Sequence, residues 1–282
     1  MSAPVRSAHL RGREHHEIGA IEARCDGALA VALSIGGAKK AYAHTDPNED
    51  CAFYAAGEGG LCVAVADGHG GVEAAEIATA HLLEHWVPAW TAAAPPLRGA
   101  WQEAALGALA RANVAILEAG GGSGRKQSRT TLAFAVVRPA EGFVYYASIG
   151  DSHVYQVMDG AAYDLACELS ATGDPCFLGH GPETAETLRE KCVIGAERLQ
   201  SAQAVLVVTD GLSERLVGVD DPDVTVAEVA AQAAEAPPGE RALALAYRLL
   251  EAALAAHVRK PSGDNVAAAV AWLGAPSAAP AP

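Results

Sequence analysis

The sequence predicts a layered α/β protein with mostly antiparallel sheets. Two observations predict it. Short, continuously apolar runs recur along the chain, several of them separated by the turn signals that join antiparallel strands. Longer stretches with apolar residues at helical spacing follow the second of four acidic motifs and precede the last. With 282 residues, 51% of them hydrophobic, the chain has the volume for a sizeable core. No composition shift marks a linker between independent domains, so one domain is expected over 28–273.

Residues 1–27 read as an irregular lead-in with little periodicity. The apolar run 28–35 predicts a first strand, ended by Gly36-Gly37. Residues 61–66, Leu-Cys-Val-Ala-Val-Ala, have the pattern of a strand buried on both faces and stop abruptly at Asp67. A Gly-rich turn then feeds a helix over 72–86. Pro88, Pro95 and Pro96 interrupt it, and a second long helix is expected over 97–118. After a Gly-rich connection at 120–124, strands are expected at 130–137, 143–149 and 153–158. Residues 171–190 are polar, fit no regular element, and form the kind of long loop that is often functional. A buried strand over 204–208 ends at Asp210. Helices follow over 226–236 and 240–257, then a last strand over 266–272. The Ala/Pro-rich tail, 274–282, is expected to be disordered.

Composition excludes several classes. A net charge of −14 argues against nucleic-acid binding, which needs a basic footprint. No apolar stretch approaches the roughly 20 residues that span a bilayer, so no membrane role is expected. The charged, His-rich start, including His15-His16, lacks a signal peptide's apolar segment, and a cytoplasmic protein is the default. The six cysteines form no CxxC pair and read as mostly reduced core residues. No GxxxxGK[ST] loop supports a kinase or ATPase.

The chemistry lies in four acidic segments beside apolar runs: Asn48-Glu49-Asp50, Asp67-Gly68-His69-Gly70-Gly71, Thr209-Asp210-Gly211 and Gly263-Asp264-Asn265. Each alone also reads as a turn or a helix cap. Together they place carboxylates at strand ends, where they repel unless a cation neutralises them. Hard divalent cations prefer such oxygen ligands. Gly68 lets the backbone approach a ligand closely, and His69 stands where it can act as general acid or base.

At these residues the sequence resembles the type-2C, metal-dependent protein serine/threonine phosphatases. The resemblance rests on Asn48-Glu49-Asp50-Cys51, Val63 through Gly71, Ser148-Ile149-Gly150-Asp151-Ser152, Val207 through Ser213, and Gly263-Asp264-Asn265-Val266, in family order over roughly residues 25–273. It implies a four-layer αββα sandwich, two antiparallel sheets flanked by helices, in a compact bacterial member. It also implies two Mn²⁺ or Mg²⁺ ions. Asp67 would bridge them, Glu49 and the Gly68 carbonyl would complete one site with Asp50 acting through water, and Asp210 and Asp264 would hold the other. A water between the metals would attack phosphorus, and His69 would protonate the leaving oxygen. Asp151 is expected to shape a turn, with direct metal binding the lesser option. The expected partners are phosphorylated proteins, among them a bacterial Ser/Thr kinase and its substrates.

The sequence departs from that pattern in three places. Thr45 stands where relatives carry a phosphate-gripping arginine, leaving His44, or else Lys39 or Lys40, as a substitute. Arg129, in Ser128-Arg129-Thr130-Thr131, replaces a glycine and is either a surface residue or a second source of positive charge for phosphate. Gly124-Arg125-Lys126-Gln127 lacks the acid that holds a third metal in many bacterial relatives, so two metals are expected. The flap around Cys176-Phe177-Leu178-Gly179-His180 leaves His180 either solvated or facing the cleft. Two other functions remain open: a phosphatase-fold binding or sensing module with weak turnover, and a small-molecule phosphoesterase.

Overall fold

Strand pairing carries the chain through two six-stranded sheets. The first runs in the order Arg6–Arg11 (β1), Cys51–Ala56 (β4), Leu61–Ala66 (β5), Leu132–Arg138 (β8), Phe143–Ile149 (β9) and Cys192–Arg198 (β12). The second runs Ala161–Asp164 (β11), His153–Met158 (β10), Ala202–Val208 (β13), Val266–Trp272 (β14), Leu29–Ser34 (β3) and Glu22–Asp26 (β2). Gly68–His69 (β6) and Arg129–Thr130 (β7) form a small ladder beside them. Every pairing between these strands is antiparallel; the isolated bridge between Lys40 and Gly263 is parallel. This computed structural model describes residues 5–40, 44–120, 128–166 and 176–274. The Gly-rich connection beyond 120, the stretch 124–127, Cys167, residues 171–175 of the flap and the tail from 275 lie outside the described residues.

Three apolar layers hold the sheets and helices together. On β5, Cys62, Ala64 and Ala66 pack with Ala75, Ala78 and Leu82 of α1 (Glu73–His85) and Leu106 and Leu109 of α3 (Trp101–Gly120). The alternate residues Val63 and Val65 face the other way, onto Val31, Val205 and Ala269 of the second sheet. A strand buried on both faces has no polar face to show, which is why β5, β13 and β14 read as unbroken apolar runs. The outer face of the second sheet is covered by Pro222–Ala234 (α5) and Arg241–Arg259 (α6). On α6, Leu245, Leu249, Ala253 and Ala256 supply the buried stripe at helical spacing. The result is the expected αββα sandwich. Trp90, at the end of the short helix Val87–Trp90 (α2), stacks on Phe134 of β8 at 5.3 Å and helps close the first outer layer.

The lead-in is not irregular. β1 and β2 are edge strands, one on each sheet, and each is paired on one side only. An edge strand needs little apolar surface; on β1 only Leu10 is fully buried, so its pattern gave no periodic signal. The same reason hides β11 and β12, both edges, and the capped five-residue helix Ala185–Arg189 (α4) inside the segment expected to be irregular. The cysteines are also less buried than expected: of the five described, Cys51 and Cys62 lie in the core, Cys176 and Cys192 are half-buried and Cys25 is exposed.

One half-buried histidine couples the fold to pH. His9 of β1 meets Thr79 of α1, Nε2 to Oγ1 at 3.0 Å. Thr79 gives its only proton to the Ala75 carbonyl, so His9 donates. Burial, and next the charge of Arg11, lower the His9 pKa to about 4 from the usual 6.5. Below pH 6.5 the unfolded chain therefore binds a proton that the folded chain refuses. Stability is complete above about pH 6.5 and falls as pH drops toward 4, by about 2–3 kcal/mol from this residue. Urea unfolding from pH 7 to 4 is expected to show a shallower acid limb for His9→Gln than for the wild type. Parallel curves would contradict the assignment.

Candidate active site

Strand register gathers the acidic motifs at one end of the sandwich. In the first sheet, Cys51 pairs with Ala66, so Asp50, just before β4, and Asp67, just after β5, flank one rung. In the second sheet, β13 ends at Val208 and β14 starts at Val266, so the turns bearing Asp210 and Asp264 emerge side by side. The chain crosses between sheets from β9 to β10, and Asp151 lies in that crossover.

Glycines and hydroxyls let these turns meet. A Cβ on Gly68 would stand 2.4 Å from the Glu49 carbonyl oxygen, and one on Gly211 would stand 1.9 Å from that of Asn265. Thr130 Oγ1 donates to the Asp67 carbonyl at 2.8 Å, and Thr131 Oγ1 accepts the Asp67 N–H at 3.1 Å. Asn265 ties its own turn to three points of the β3–β4 connection: Oδ1 accepts from Glu49 N at 2.8 Å, while Nδ2 donates to Ile35 and Pro47 carbonyls at 3.2 and 3.0 Å. Buried His257 of α6 accepts from Gly37 N at 3.2 Å through Nδ1 and donates to the Gly211 carbonyl at 2.8 Å through Nε2. None of these supports carries charge into the cluster, given that burial, first, lowers the His257 pKa.

Carboxylate oxygens of Asp67, Asp151 and Asp210 come within 4.8 Å of one another. Asp151 was expected to shape a turn; its carboxylate instead belongs to the closest acidic group. Its role depends on where the chain crosses between sheets, which motif spacing does not reveal. Asp50 and Asp264 lie within reach of this triplet's charge, and Glu49 stands on the turn against which Gly68 packs. Asp50 is fully buried; Oδ2 accepts from Thr209 Oγ1 at 2.8 Å, and Oδ1 has no hydrogen-bond partner among the described residues. Asp151 Oδ1 is likewise buried without one. Glu49 Oε1 accepts from the Thr45 and Asp46 N–H groups, both at 3.0 Å. Asp264 Oδ1 lies 3.4 Å from the buried Lys40 Nζ.

The electrostatics follow from this crowding. Burial, and then the Asp67 charge, push Asp50 and Asp210 well above the usual carboxylate range and raise Asp151 to about 6. Burial also works against Asp67, but contact with His69 and the charge of Lys40 outweigh it and hold Asp67 low. His69 Nε2 lies 3.2 Å from Asp67 Oδ2. Burial pulls the His69 pKa down, the Asp67 contact pulls it up, and the second prevails. Orphaned carboxylate oxygens that repel one another are a donor set for hard divalent cations, so the residues fit the metals that the sequence implies.

The expected phosphate groups divide. His44 is exposed on the loop ahead of Glu49. Arg129 pairs with His69 across the β6–β7 ladder, and its guanidinium lies over Phe177 at 4.5 Å. Phe177 also packs edge-on against the His69 ring at 4.6 Å. His180 is exposed. Sequence reading named Asn265 and Phe177 only as parts of their motifs and gave His257 no role, because what these side chains do shows only through what they touch.

A family model described as protein phosphatase 2C matches residues 38–254. The chain belongs to the protein phosphatase 2C family. Similar solved structures include a bacterial serine phosphatase (18% identity, 92% of this chain and 100% of that one, TM-score 0.64). Another is the PPM Ser-Thr phosphatase MsPP from Mycobacterium smegmatis with cacodylate (22% identity, 87% and 98%, TM-score 0.57). A third is the catalytic domain of the serine threonine protein phosphatase PstP with two manganese ions (22% identity, 90% and 100%, TM-score 0.59). At these identities the likeness is one of fold. No curated protein matches the sequence.

A phosphatase 2C site built this way is held together against its own charge. In EDTA at pH 8, Asp50→Asn is expected to raise the melting temperature by about 2–4 °C, the equivalent of about 1 kcal/mol. The gain should shrink as pH falls and the wild-type carboxyls take up protons. With Mn²⁺ present the order should reverse, since the wild type then gains binding energy. Scanning fluorimetry reads all three, and a melting temperature lowered by Asp50→Asn in EDTA would count against carboxylate repulsion.

Proposed function

We infer that this chain hydrolyses phosphoserine and phosphothreonine in proteins, using two Mn²⁺ or Mg²⁺ ions. The observation that carries the reading is the convergence of the Asp67, Asp151 and Asp210 carboxylates beside His69. Asp67, Asp151, Asp210 and Asp264 would hold the metals, with Glu49, the Gly68 carbonyl and Asp50 completing their surroundings. When bound, such ions supply a water of lowered pKa and screen the phosphate charge.

The chain's own residues do the rest. His69, protonated through its contact with Asp67, delivers a proton to the departing seryl or threonyl oxygen. Phe177 shelters that ring on one side. Lys40, 3% exposed among the acids, is the cation that takes over from the missing arginine, with Arg129 at the rim and His44 outside the role. Phosphorylated proteins are the substrates, and a bacterial Ser/Thr kinase with its targets is the partner class that we propose. No helix among the described residues is long and apolar enough to cross a membrane, and a cytoplasmic location accords with that.

The test is hydrolysis of a phosphothreonine peptide. Activity is expected with Mn²⁺, to vanish in EDTA, and to fall at least about 10²-fold in Asp67→Asn and Asp210→Asn. Folded protein that binds metal yet turns over no phosphoester would favour a sensing module instead. A general acid matters most for a poor leaving group. His69→Ala should therefore lose about 10²-fold on the phosphopeptide and far less on p-nitrophenyl phosphate; equal losses would remove His69 from that role. For phosphate binding, Lys40→Met should lower kcat/KM about tenfold or more, Lys40→Arg should recover part of it, and His44→Ala should change little. A large loss from His44→Ala would restore His44 as the phosphate ligand.

A further inference from the structure

Three side chains outside the acidic cluster form a hydrogen-bonded line that phosphate hydrolysis does not use. β10 starts at His153, opposite Val208 at the end of β13, which puts it next to the turn that follows Asp210. His153 Nδ1 lies 2.7 Å from Asp164 Oδ2, and Nε2 lies 2.5 Å from Ser213 Oγ. Asp164, on β11, is fixed by a second bond, Oδ1 accepting the Ala166 N–H at 2.9 Å. An ionised carboxylate only accepts, so Nδ1 donates to Asp164; in the neutral ring Nε2 is then the acceptor for the Ser213 hydroxyl, closer to it than the Asp210 carbonyl at 3.4 Å. Tyr155 stacks on the imidazole at 5.6 Å with planes 22° apart and sets the ring's tilt.

Exposure suits a reaction at the serine. The side chains of His153 and Asp164 are 13% and 8% exposed, while Ser213 is half-buried at the surface. The base is the more sheltered of the two, and the residue that carries the hydroxyl is partly open to solvent. Beyond Ser213, the Arg215 and Leu216 N–H groups have no backbone hydrogen-bond partner among the described residues. Leu216 has φ +68° and is 75% exposed. A bulky residue in the left-handed region is a strained one, and such strain gathers where a turn has work to do.

We propose that Ser213 is an activated nucleophile, with His153 its general base and Asp164 the acid that orients the base, and that this second site takes small carboxylic esters. A nucleophile within hydrogen-bond reach of a base, itself oriented by a third group, is the general signature of covalent catalysis. Ser213 Oγ forms a bond to the ester carbonyl carbon while its proton passes to His153 Nε2. The carbon–alkoxide bond then breaks, and His153 returns that proton to the leaving alcohol. Water releases the acid by the same steps, and its proton restores the serine hydroxyl. The Arg215 and Leu216 N–H groups are the donors nearest in sequence for the developing oxyanion.

The whole chain is treated in EDTA with a fluorophosphonate probe, the adduct is mapped by mass spectrometry, and p-nitrophenyl acetate hydrolysis is followed alongside. The expected result is one phosphonyl adduct on Ser213, absent from Ser213→Ala. It should form about 10²-fold more slowly in His153→Ala and more slowly in Asp164→Asn. Circular dichroism checks each fold, and His153→Gln replaces His153→Ala if the alanine variant fails to fold. No adduct on Ser213, or an adduct whose rate ignores the His153 substitution, would overturn the proposal. Phosphopeptide turnover with Mn²⁺ on the same preparation reads the metal site separately, so one activity can fail without the other.

Discussion

Repulsion between buried carboxylates is the constraint around which this protein is arranged. Asp50, Asp67, Asp151, Asp210 and Asp264 reach one end of the sandwich from five separate segments, and nearly all are shut off from water. Taking such groups out of water is costly unless they are paired or ligated. The three apolar layers below supply the opposing free energy, and the backbone at the site is pinned at many points. Thr130, Thr131 and Asn265 hold the acid-bearing turns by neutral hydrogen bonds to the backbone.

Positive charge is correspondingly scarce and placed with care. In a chain of net charge −14, Lys40 is buried beside Asp264 and His69 rests against Asp67. Arg129 lies over the face of Phe177, a cation–π contact that holds it next to His69. The flap residue Phe177 thus organises two cationic groups at once. It is fixed in turn by backbone bonds between Thr130 and Leu178 at 3.0 and 2.9 Å. Changes in the flap therefore reach the proton donor through packing.

The turn after Asp210 joins the two chemistries. Ser213 N donates to the Asp210 carbonyl at 2.7 Å, so the serine that meets His153 sits on the same short turn as a carboxylate of the cluster. The β10–β11 hairpin, carrying His153 and Asp164, reinforces that turn from the side.

By itself the sequence determined the buried elements and the acids at their ends. β5, β9, β10 and β14 have the expected bounds, because strands covered on both faces are apolar nearly throughout and are bounded by turn residues and charges. The motifs named Asp67, His69 and Asp210 for the same reason: a carboxylate at the end of a buried strand is too costly to be incidental. Only the tertiary structure decided the edges and the partnerships. β1, β2, β11 and β12 are strands because a neighbour pairs with them, and their own residues carry little signal. Asp151 entered the acidic group, Lys40 met Asp264, and His153 met Ser213 across 60 residues of chain. Each of these is a contact between residues distant in sequence, set by strand register and by the crossover between sheets, which no local pattern encodes.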